Sequence, residues 1–124
     1  MVPKSLKNWF LIHFAVDLIA AVPLIFFTPW VVSTFSLEDM SFVALRLVGA
    51  ALLGIGGTSF VAHNAGLESY KNLLVLKIIW STSAIFGLTL SLMESYSLTI
   101  LSVLIVFAVF SSIWARNFIK LRKL

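Results

Sequence analysis

Polar residues fall in clusters along this chain, and between the clusters the sequence stays apolar for about twenty residues at a time. A hydrocarbon core of about 30 Å needs about 20 residues of helix. Four stretches meet that length, at 8–28, 41–62, 72–92 and 97–119. Pro23 is tolerable as a kink inside the first, and Pro29 lies beyond its end as a stop. Residues 30–40, with Glu38 and Asp39, read as a short interfacial segment with Trp30 at headgroup level. The loop His63 to Lys71 returns the chain, and 93–96 leave room only for a tight hairpin. The expected fold is all-α, a single domain over 1–124. It is an integral membrane four-helix bundle, antiparallel and up-down-up-down, with both termini on one side.

The second span carries the most informative run, R-L-V-G-A-A-L-L-G-I-G-G at 46–57. In water each interior glycine costs about 1 kcal/mol relative to Ala. In lipid, small residues that let backbones approach closely are the main adhesive between helices. The expected packing residues are therefore Gly49, Ala50, Gly54 and Gly57 in the second span and Ser83 and Gly87 in the third. Ser81 and Thr82 extend the latter into a small polar patch, suited to hydroxyl hydrogen bonds between helices or to a pore lining.

Composition agrees with insertion: 60% of the 124 residues are hydrophobic and 11% charged, against about 25% charged in soluble domains. Lys4 and Lys7 precede the first apolar run as in a signal peptide, but His13, Asp17 and the absence of a small-x-small cleavage site make it a span. Lys4, Lys7, Lys71, Arg116, Lys120, Arg122 and Lys123 all fall in the two tails or the 63–71 loop. The other two connections hold only Glu38, Asp39 and Glu94, so the positive-inside rule places both termini in the cytoplasm. The net charge of +4 sits at membrane exits, which fits anionic lipid and topology and not nucleic acid.

Ionisable residues inside spans are the candidates for chemistry. Asp17 lies roughly 13 Å into the membrane at about 1.5 Å per residue, with His13 one turn nearer the cytoplasm on the same face. Together they can pass a proton or hold a small cation. Pairing that merely holds helices in register explains Asp17 as well, with Arg46 or Lys77, each about 7 Å deep, as the cation. His63, Asn64, Glu68 and Tyr70 cluster in the return loop, and one His with one Glu is too few for a metal, so a solvated turn is expected there. Trp9, Trp30 and Trp114 fit interfacial belts, while Trp80 lies deeper. Without cysteine, thiolate metal sites and cysteine nucleophiles are excluded. No P-loop, zincin, nucleophile-elbow or dinucleotide fingerprint is present, so no catalytic residue, metal or cofactor is assigned and enzymatic chemistry has the least support.

The run at 46–57, followed by L-K-I-I-W-S at 76–81, resembles uncharacterised small four-helix membrane proteins of bacteria and archaea. It is more loosely similar to the DoxX-like group. The likeness covers the second and third spans, and the first agrees in its aspartate and prolines. It implies a prokaryotic inner-membrane four-helix bundle and transfers no activity to named residues.

Three function classes follow. The leading one is a non-enzymatic bundle in the lipid bilayer that self-associates or assembles with a membrane partner through its small-residue faces. The others are a proton or ion translocator centred on Asp17 and His13, and a bundle enclosing a sterol-like or quinone-like apolar ligand.

Overall fold

The computed structural model describes residues 1–124, and every regular element in it is helical. The elements are α1 (Lys4–Phe26), α2 (Thr28–Thr34), α3 (Phe42–Val61), α4 (Leu67–Glu94) and α5 (Leu98–Arg122). All but α2 are long and apolar enough to cross a membrane, which makes this a multi-pass membrane protein. Outward-facing residues such as Ile19, Val61, Ile79, Phe86 and Leu98 are largely uncovered, a surface suited to lipid tails and not to water.

The helix boundaries differ from the sequence expectation for identifiable reasons. α1 starts at Lys4 because Pro3 supplies an extended N-cap, and it ends at Phe26 because Phe27 leaves helical geometry, with φ −127° and ψ 39°. Pro29 does not stop the chain; it sits in the first turn of α2, where its missing N–H is one the helix leaves unpaired anyway. α4 begins at Leu67, five residues before the expected 72, after an extended Gly66. Glu68 lies in its first turn and pairs with Lys71 at 3.3 Å. Its 28 residues span about 42 Å at 1.5 Å per residue, so the helix outruns the hydrocarbon and its first turns belong to the headgroup layer. Ser41 and Ser97 cap α3 and α5, each hydroxyl accepting from the backbone N–H three residues on at 3.4 Å.

Two compact units divide the chain, residues 3–65 and residues 66–124 joined by Met1–Val2. In the first, α1 and α3 pack antiparallel: Gly49 meets Leu24 and Ile25, Gly56 meets Asp17, and the Phe60 ring lies 4.8 Å from that of Phe14. Buried positions run Leu6, Phe10, His13, Asp17, Ala21 on α1 and Leu45, Gly49, Leu52, Gly56, Ser59 on α3. Their steps of four and three residues, strictly alternating on α3, make a coiled-coil-like seam.

In the second unit, α4 and α5 are also antiparallel, with Trp80 edge-on to Phe107 at 6.1 Å and Lys77 against Trp114. Tyr70, Leu74, Lys77 and Ser81 form the buried row of α4 on the same spacing. Hydroxyls are consumed locally. Thr58, Ser59, Thr89, Ser91, Ser102 and Ser112 each donate to the carbonyl four residues back at 2.7–3.1 Å, and Ser81 and Thr82 both donate to Ile78.

After α2 the chain turns through Ser36, a non-glycine residue in the left-handed region at φ 54°. The Leu37 N–H donates to the Val32 carbonyl at 2.9 Å, the six-to-one bond of a Schellman turn. Glycine normally fills this position, since a Cβ there costs about 1 kcal/mol. Ser36→Gly is therefore expected to stabilise the protein by about 1 kcal/mol, read as a raised midpoint of thermal unfolding in detergent; a lowered midpoint would contradict the turn.

Candidate functional site

The α1–α3 seam carries the charged centre of the first unit. His13 and Asp17, four residues apart, present their side chains on one face of α1 with His13 Nε2 3.4 Å from Asp17 Oδ2. Both side chains are more than nine-tenths buried, at 7% and 6% exposure. A carboxylate can sit in this seam because residue 56 has no side chain. A Cβ on Gly56 would lie 2.6 Å from Asp17 Cβ and 2.9 Å from Oδ2. One β-carbon would therefore displace the carboxylate or part the helices.

Two further cations, Arg46 and Lys77, were expected near Asp17. Arg46 is exposed in the first turns of α3, its guanidinium 5.8 Å above the Phe42 ring. It precedes Gly56 by ten residues, about 15 Å along the axis, so α3 does not bring it to the carboxylate. Lys77 lies in the second unit and is fully buried, its ammonium 5.0 Å over the face of Trp114. Such cation–π contact is worth roughly 2 kcal/mol when desolvated.

The small residues separate into an inward and an outward set. Gly49 and Gly56 are taken up by the seam: a Cβ on Gly49 would lie 2.8 Å from Ile25 and 3.2 Å from the Ala21 carbonyl. Gly54, Gly57 and Gly87 have nothing within 4 Å of where a Cβ would stand, and Ala50 and Ser83 are exposed. Gly56 is thus the glycine that seats the carboxylate, and its place four residues after Leu52 and three before Ser59 is the signal that marks it.

One expectation needs correction. Tyr70 is not in a solvated loop; it is fully buried in the first turn of α4, because the helix starts at Leu67 and turns residue 70 onto the Leu74 and Lys77 face. Trp114, expected in an interfacial belt, is buried within the protein at 1% exposure, stacked on Phe110 at 5.7 Å with the Lys77 ammonium over its ring. His63 packs against the Phe60 ring at 5.7 Å, and Glu68 is exposed beside Lys71. No group of three or more His, Asp or Glu side chains converges as a metal would need.

The fold and site define a helical multi-pass membrane protein with ionisable side chains buried inside its spans. Compared with protein families, curated proteins and solved structures, the chain matches none.

The seam makes a sharp contrast between neighbouring glycines. Gly56→Ala is expected to lower stability in detergent by about 1–3 kcal/mol through overpacking, whereas Gly54→Ala leaves it unchanged. Equal midpoints for the two variants would show that Gly56 does not seat Asp17.

Proposed function

We propose that the protein is a non-enzymatic membrane subunit that associates with further copies of itself through outward small-residue rows on α3 and α4. Ala50 and Gly54 stand four residues apart on α3, and Ser83, Gly87 and Ser91 stand four apart on α4. These are small-xxx-small patterns, which in lipid let backbones approach closely. The observation that carries the reading is that Gly54 and Gly87 have open space where a Cβ would be, while Gly49 and Gly56 are filled by α1. The Ser91 hydroxyl, bonded to the Gly87 carbonyl, leaves that row smooth.

In this reading the four spans form an antiparallel up-down-up-down bundle of the inner membrane with both termini cytoplasmic, supported by the confinement of Lys4, Lys7, Lys71, Arg116, Lys120, Arg122 and Lys123 to one side. Native mass analysis and crosslinking in lipid are expected to give a defined oligomer, and Gly54→Leu with Gly87→Leu to return it to monomer without loss of thermal stability. A wild-type protein that is monomeric in every lipid would overturn the proposal.

A second reading, proton or ion translocation centred on Asp17 with His13 as relay, is favoured by the burial of that pair at 3.4 Å within a span. Proteoliposomes are expected to show a proton or cation flux that Asp17→Asn abolishes. Flux unchanged by the substitution would exclude the mechanism.

A further inference from the structure

The cytoplasm-directed end of α5, by its sequence charge, has a layout that positive-inside topology alone does not require. The last turns carry Arg116, Lys120, Arg122 and Lys123, all exposed, around an exposed Ile119. At 100° per residue, Arg122 lies on one flank of Ile119 and Arg116 and Lys123 lie on the other. An open depression of about 330 Å³ is lined by Ile119, Arg122 and Lys123. On the same helical face, one, two and three turns back into the span, stand Ala115, Ser112 and Ala108. The Ser112 hydroxyl donates to the Ala108 carbonyl at 2.9 Å, so the strip is small and has no free donor. Cations above an apolar floor, continuous with a shallow strip of small residues, match a molecule with an anionic head and a hydrocarbon tail.

We propose that this face of α5 is a binding site for one anionic phospholipid. Arg116, Arg122 and Lys123 hold the headgroup phosphate around Ile119, and one acyl chain lies along Ala115, Ser112 and Ala108. Charge complementarity selects the head. The strip of small side chains is what separates a lipid from a free phosphate or a soluble polyanion, neither of which would use it.

Full-length protein in nanodiscs of mixed phosphatidylglycerol and phosphatidylcholine tests this by native mass spectrometry of the lipid that stays bound. The wild type is expected to retain phosphatidylglycerol preferentially. Arg116→Gln/Arg122→Gln/Lys123→Gln should lower that preference about fivefold per charge removed. Ser112→Phe fills the strip without changing charge, and should lower retention with the headgroup residues intact; it carries the test if the triple variant fails to insert. Lys4→Gln/Lys7→Gln removes charge elsewhere and should retain the lipid as the wild type does. Undiminished retention in the triple variant or in Ser112→Phe would overturn the site. So would an equal loss in Lys4→Gln/Lys7→Gln, which would assign the preference to net charge. Displacement of the lipid by soluble glycerol phosphate would overturn it in favour of a phosphate site.

Discussion

A carboxylate in hydrocarbon costs several kcal/mol unless something replaces its water, and the packing of α1 on α3 follows from where Asp17 can be put. The residue needs a helix interface, which removes it from lipid, yet an interface of ordinary side chains has no room for it. Gly56 makes that room, and His13 lies a single turn away at 3.4 Å. With Gly56 set opposite Asp17, the antiparallel register fixes the rest: Gly49 falls opposite Ala21 and Leu24, and Phe60 meets Phe14.

In the second unit a buried cation packs on an aromatic ring. Lys77 is covered by the face of Trp114, and the Trp114 ring is held by stacking on Phe110. Asp17 lies beside Gly56, Lys77 lies against Trp114, and several hydroxyls bond to their own helix. Gly54 and Gly87 have nothing within 4 Å of where a Cβ would stand, and packing within their own units does not account for them.

The spans were legible because hydrophobic length against bilayer thickness is a one-dimensional property, and Ser41 and Ser97 mark two helix starts directly. Rotation about the helix axis is not one-dimensional. From sequence alone Gly54, Gly56 and Gly57 are equivalent members of a run, and only the four-and-three alternation of buried positions separates the inward one from its neighbours. The start of α4 was misread because the polar residues Glu68, Ser69 and Lys71 resemble a loop; they form the headgroup turn of a helix longer than the hydrocarbon, which hides Tyr70. The ring of Trp114 packs against a buried ammonium, a contact that tryptophan's place near a span end does not announce.

The local use of hydroxyls bears on biogenesis. With their side-chain O–H groups already bonded to the backbone four residues back, Thr58, Ser59, Ser102 and Ser112 add little polar burden when α3 and α5 pass from the translocon into lipid. α1 brings Asp17, at about 3 kcal/mol, but also twelve Leu, Ile, Phe and Val residues, each favouring insertion by about 0.3–0.6 kcal/mol. The apolar contribution is at least comparable to the cost of that one carboxylate. Its aspartate leaves lipid when α1 packs on α3, so burial of this charge favours the pairing of the two helices.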